Sequence, residues 1–147
     1  MTAAPELYPE LPLRALSIRQ PWAHCILHFG KAVENRIWST NIRGRVCIHA
    51  AMGMTQVEWL GCLDVAREAS ERYPGSLTGK TFPPFKDLIR GGIVGTVEIV
   101  DVVTNMDSPW FFGPYGFVLR DPQPVEFIPV KGALNFFDWR KNLRETA

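Results

Sequence analysis

No stretch of this chain is long and apolar enough to cross a bilayer. Charge-free runs stop at twelve residues, as in Ser108–Leu119, which is broken by Pro109, Gly113, Pro114 and Gly116. A spanning helix needs about 20 apolar residues. The opening MTAAPELYPELPLR places acids and prolines where a signal peptide needs basic charge and an apolar run, so neither export nor membrane insertion is expected. Cysteine is scarce too. Cys25, Cys47 and Cys62 are odd in number and form no CxxC pair, which excludes a disulfide framework and points to buried thiols in a cytoplasmic protein.

Histidine numbers only three. His24 and His28 stand four apart on one face of a probable helix, a usable ligand spacing. The glutamate of an HExxH zinc site is missing between them, however, and only His49 remains as a further histidine ligand. No metal and no cofactor are expected. Phosphate-loop, dinucleotide, zinc-ribbon and Gly-x-Ser-x-Gly motifs are absent as well. Gly91-Gly92-Ile93-Val94-Gly95 leads into a strand instead of a helix, so it reads as tight packing and not as a phosphate cradle.

The net charge of +1 hides an asymmetry. Arg14, Arg19, Lys31, Arg36, Arg43 and Arg45 stand against Glu34 alone in residues 13–45, a segment suited either to an anion-facing surface or to scattered solvated side chains. Residues 1–12 read as a loose, proline-punctuated leader, and residues 13–147 as one domain.

Within that domain Arg14–Arg19 reads as a strand. Gln20-Pro21 opens a helix that carries Trp22, Cys25, Ile26 and Phe29 on its apolar face and stops at Gly30. Strands are predicted at Val33–Trp38 and Arg45–Ala50. A helix follows from Thr55, with Glu58 as capping-box partner, to about Tyr73, its inward face carrying Val57, Leu60, Leu63 and Ala66 or Ala69. Further strands are predicted at Ile93–Val103, Tyr115–Arg120 and Val125–Val130, before a closing segment at Asn135–Leu143. In the central strand Glu98 and Asp101 sit among Val and Ile, so a buried carboxylate there would need Arg19 or Arg36 as partner. The pattern is that of an α+β domain: a small β-barrel of about six strands with two to three flanking helices.

The densest run of chemistry is Leu16-Ser-Ile-Arg-Gln-Pro-Trp-Ala23, Gly30-Lys-Ala-Val-Glu-Asn-Arg-Ile-Trp38, Arg43-Gly44 and Ile48-His-Ala-Ala51. Together with the later Gly-x-Val-Gly, Tyr-Gly-Phe-Val and Pro-x-Lys-Gly pieces, it resembles the ASCH domain of the PUA-like superfamily, related to the YTH and EVE modules. The resemblance covers residues 14 to about 140. It implies a closed barrel with a cleft beside the first helix, and an association with RNA, single-stranded nucleic acid or modified nucleosides. One ASCH branch is an amidohydrolase on acetylated cytidine, and ribonuclease activity has been claimed in another.

The ligand-binding set expected from this reading is Ser17, Arg19, Gln20, Trp22, Lys31, Glu34, Arg36, Trp38, Arg43 and Tyr115. Glu34 and Arg36 share a strand face, where with Lys31 they either form a structural ion-pair network or bind a base edge and phosphate. Trp22, Trp38, Trp110 or Tyr115 are candidates for base stacking, while Trp59 and Trp139 read as packing. His49 reads as a hydrogen-bonded core residue or as a general acid–base. In an enzyme, Lys31 and Glu34 are the catalytic candidates. The amidohydrolase branch, however, places a threonine nucleophile three residues after the lysine, and Glu34 stands there instead. Ser17, Ser39 and Thr40 are the substitute hydroxyls. A hydrolase and a protein-interaction domain are the alternatives to a nucleic-acid-binding module.

Overall fold

A computed structural model describes residues 7–144. Its strands are β1 (Ala15–Ile18), β2 (Val33–Arg36), β3 (Gly44–Ala50), β4 (Gly92–Val103), β5 (Tyr115–Pro129) and β6 (Phe136–Phe137), with helices α1 (Trp22–His28) and α2 (Gln56–Arg72). Short 3-10 turns lie at Phe85–Asp87 and Trp139–Asn142. The strands form one mixed sheet in the order β2-β5-β4-β3-β1-β6, with β1 and β3 parallel. The fold is α+β, a six-stranded sheet curled into a half-barrel with two helices. It stops short of a fully closed barrel, because β2 and β6 remain its edges.

Leu16, Ile18, Val46, Ile48, Val97, Ile99, Phe117 and Leu119 fill the interior of the curl. They alternate along their strands with residues facing the other way, the period-2 pattern of a sheet with one buried face. α1 packs directly on the sheet because Gly95 lacks a side chain. A Cβ there would come within 2.4 Å of Leu27 and 2.8 Å of the Gln123 carbonyl. α1 ends where Gly30 takes a left-handed conformation (φ +72°) and the Lys31 N–H donates to the Cys25 carbonyl.

α2 begins at the expected capping box: the Thr55 hydroxyl accepts from Glu58 N–H, and the Glu58 carboxylate accepts from Thr55 N–H. Its buried stripe is Cys62, Ala66 and Ala69, packed on Cys25 of α1 and on Phe29 just after it. Val57 and Leu60, expected inside, are exposed instead, because the inward face is rotated toward 62, 66 and 69.

Two predicted strands merge into one. β5 runs unbroken from Tyr115 to Pro129, since Asp121 and Pro122 occupy an irregularity in the register where Thr96 pairs with Gln123 and Glu98 with Arg120. A proline at a bulge loses no ladder hydrogen bond. Nor are the charges of the central strand buried: Glu98 pairs with Arg120 at 2.9 Å, and Asp101 is exposed with Arg43 at 3.8 Å.

Of the leader, residues 1–6 lie outside the described residues. The carbonyls of Leu7, Tyr8, Leu11 and Pro12 all accept from Arg140, which ties this part of the leader to the end of the chain. No helix among the described residues is long and apolar enough to cross a membrane.

Candidate functional site in the barrel seam

The gap between edge strand β2 and the β1–β6 side of the sheet is bridged by side chains. Arg36, the last residue of β2, donates from Nη2 to the Ser17 carbonyl on β1 at 2.7 Å. Two residues further, Trp38 packs edge-on against Phe136 of β6, with ring centroids 5.8 Å apart. Beside this seam opens a cleft of about 500 Å3, bordered by Ser17, Arg19, Trp22, Lys31, Glu34, Asn35, Arg36, Ile37, Trp38, Glu58, Phe112 and Gly113. That volume is in the range of small-ligand sites.

Its charged floor is built from three side chains close together in sequence, one just after a reversal and two on a strand. The reversal after Gly30 drives Lys31 inward until it is 2% exposed, with Nζ donating to the Val33 carbonyl (2.5 Å) and to Glu34 Oε1 (3.2 Å). Glu34 and Arg36 share a face of β2, so Arg36 reaches Glu34 Oε2 from both Nε (3.1 Å) and Nη2 (2.8 Å). Two cations thus share one carboxylate, leaving one net positive charge. Lys31 keeps an unused N–H, and Arg36 Nη1 makes no hydrogen bond within the described residues. Lys31 Nζ lies 5.8 Å from the centroid of Trp22, and the Arg36 guanidinium lies 5.8 Å from that of Trp38. The ion-pair network and the aromatic walls are parts of one structure.

The rim comes from elsewhere in the chain. Arg19 makes a bidentate pair with Glu58 (2.6 and 2.5 Å), fastening the start of α2 to the end of β1. That contact raises the Arg19 pKa and lowers that of Glu58. Asn35 Oδ1 accepts from the N–H groups of Phe112 (2.8 Å) and Gly113 (3.1 Å), while Nδ2 donates to the Trp110 carbonyl (2.9 Å). This clamp sets Phe112 beside Trp22, with centroids 6.3 Å apart.

Of the ten residues expected to bind a ligand, seven border the cleft: Ser17, Arg19, Trp22, Lys31, Glu34, Arg36 and Trp38. Gln20 does not. It is 3% exposed, its Oε1 accepting from His24 N–H at the start of α1 and its Nε2 donating to the Ile89 carbonyl. Arg43 also lies apart, its Nη1 donating to the carbonyls of Thr40 and Ile42 in the β2–β3 connection. Tyr115 opens β5 opposite Arg36 but does not border the cleft. Trp110 is buried beneath α1 and α2.

Asn35, Ile37, Glu58, Phe112 and Gly113 were not singled out as ligand residues. An asparagine inside a short strand was a readable signal, because its side chain favours bonds to nearby backbone over strand packing. The Arg19–Glu58 pair spans 39 positions and leaves no local trace.

The hydroxyl and histidine chemistry lies to one side. Ser17 borders the cleft, but its hydroxyl donates to His49 Nδ1 at 2.9 Å. His49 is 1% exposed, and its Nε2–H donates to the Val130 carbonyl at 2.7 Å, which makes it a neutral core histidine with both nitrogens occupied. Burial pushes its pKa down. His24 and His28 face each other with centroids 4.6 Å apart, and among the described residues no cluster of three or more His, Cys, Asp or Glu side chains could hold a metal ion. The three cysteines are free and buried, with Cys25 and Cys62 Sγ 3.5 Å apart.

A six-stranded mixed sheet curled into a half-barrel with two helices is the fold of a PUA-like module. The ASCH domain model matches residues 16–117, and the chain belongs to that family, whose members are often implicated in RNA binding. Among curated proteins it is similar to human activating signal cointegrator 1, at 29% identity over 126 residues, which is 80% of this chain and 20% of that protein. The chain spans about a fifth of that relative's length.

Proposed function

We propose that the seam cleft binds single-stranded RNA, holding one base between Trp22, Phe112 and Trp38 above the Lys31–Glu34–Arg36 floor. The observation that carries this reading is the pairing of two cations with one carboxylate inside an aromatic-walled hollow. The surplus positive charge meets a phosphate or a base acceptor, and the spare N–H groups of Lys31 and Arg36 supply directional donors. Stacking on an aromatic face contributes about 1–3 kcal/mol per base. A modified base carried in such a strand would occupy the same hollow. Three free buried thiols suit a reducing compartment, so the proposed location is cytoplasmic.

A hydrolase is less well supported. The site offers no threonine three residues after Lys31, and although the Ser17 hydroxyl meets a histidine as a nucleophile meets its base, His49 is buried and its other nitrogen is held by the Val130 carbonyl in place of a carboxylate. Three of the roughly four acceptor positions of the Glu34 carboxylate are filled by Lys31 and Arg36.

Fluorescence anisotropy with a labelled single-stranded RNA octamer, read across a salt series, tests the proposal. Affinity should fall steeply with salt, and Lys31→Met should weaken binding about tenfold and reduce the log–log salt slope by about 1. Salt-independent binding, or binding untouched by Lys31→Met in a folded variant, would refute it.

A further inference from the structure

A second hollow lies on the other side of the seam contact. Trp38 borders the cleft described above, whereas its partner Phe136 borders a hollow of about 430 Å3 with Leu13, Arg14, Phe137, Asp138 and Arg140. The two hollows therefore share the Trp38–Phe136 pair as a divider. Within the second, the cations differ in their commitments. Arg140 holds the leader carbonyls and lies over Trp139 at 4.4 Å. Asp138 faces Lys141 at 3.7 Å. Arg14 is exposed, and although its backbone carbonyl accepts from Cys47 N–H at 2.8 Å, its guanidinium makes no hydrogen bond or ion pair within the described residues.

Arg14 immediately precedes β1, and the Ser17 carbonyl gripped by Arg36 lies further along the same strand. At roughly 3.3 Å per residue the two positions are about 10 Å apart. A free nucleoside needs one hollow and one set of donors. Two hollows, each with aromatic wall and cation, separated by an edge-on ring pair, match the repeat of a strand in which base and phosphate recur.

We propose that the Arg14 hollow is a second nucleotide subsite, so that the seam takes an oligonucleotide crossing the Trp38–Phe136 divider and not a free nucleoside. The inference rests on the nucleic-acid reading of the seam cleft. Arg14 meets the phosphate of the neighbouring nucleotide, and the half-buried Phe137 offers an apolar surface to its base or sugar.

Competition binding with uridylates and adenylates of one, two and four nucleotides tests it on the full chain. Affinity should rise about tenfold or more between one and four nucleotides, since the second contact adds to the first at high effective concentration. Arg14→Ala should remove most of that rise, and Arg14→Glu more of it. The Arg14 side chain has no bonded partner among the described residues to lose, and an unchanged melting temperature establishes that each variant is folded. Equal affinity for one and four nucleotides, or a rise that survives Arg14→Glu, overturns the second subsite while the cleft reading stands. Failure of every probe to bind, the tetranucleotides included, overturns both.

Discussion

Arg36 and Ser17 meet across a gap in the curled sheet that side chains bridge in place of a strand ladder: the Arg36 guanidinium donates to the Ser17 carbonyl at 2.7 Å and grips Glu34 with the same nitrogen. One residue thus ties edge strand β2 to β1 and shapes the floor of the cleft. Arg36→Lys keeps the charge but cannot make the forked contact. It should cost about 1–2 kcal/mol in urea unfolding, and Arg36→Ala about 2–4 kcal/mol, with RNA affinity falling in both. A stability equal to the parent in Arg36→Ala would show that the seam is held by Trp38 and Phe136 alone.

Asn35 should behave as a loop anchor. Asn35→Ala removes the acceptor of two backbone N–H groups and a donor to a third residue, so a loss of about 2 kcal/mol is expected. Faster amide exchange at Phe112 and Gly113 should accompany it. Asn35→Asp retains the acceptor and should restore protection at those two amides in part. Uniform exchange across the chain would argue against a local clamp.

The start of α2 should show an acid-side signature. Arg19 holds the Glu58 pKa below its ordinary value, with Thr55 N–H adding to the effect. Stability from this lowered pKa is present above the ordinary carboxylate range and is lost as pH falls through the lowered value. Glu58→Gln preserves the capping-box geometry and should cost only about 0.5–1 kcal/mol at neutral pH, because the pair is partly solvated. The gap between parent and variant in melting temperature should close in acid.

His24 predicts a second pH window. Burial, reinforced by His28 and Lys80, holds its pKa down to about 4 from 6.5. The unfolded chain takes up that proton first, so stability should fall as pH drops from 6.5 toward about 4 and level off below. His28 and His49 are shifted in the same direction by burial and add to the slope. His24→Gln should flatten the melting-temperature curve across that window. An unchanged slope would place the effect in the other two histidines.

Much of this was legible in the sequence where the signals are local. The Thr55–Glu58 capping box, the Gly30 stop and the shared face of Glu34 and Arg36 all follow from spacing of four residues or fewer, and each is observed. Long-range partners were not legible. Gln20 stood in the right motif yet turns its amide to Ile89, a contact 69 positions away that decides its direction. Val57 and Leu60 fit a helical stripe as well as Cys62, Ala66 and Ala69 do, and only the placement of α1 chooses between the two faces. Separate strands were expected at Tyr115–Arg120 and Val125–Val130, whereas an irregular ladder carries Pro122 and Pro124 within one strand.

The central claim is that bases enter between Trp22 and Trp38. Its most direct test follows the five indole N–H resonances of the labelled protein during titration with a short single-stranded RNA. Trp22 and Trp38 should shift, while Trp59 and Trp139, whose indoles donate to the Pro83 and Pro12 carbonyls, should stay in place. Shifts confined to Trp59 or Trp139, or no indole shift at saturating RNA, would contradict the account.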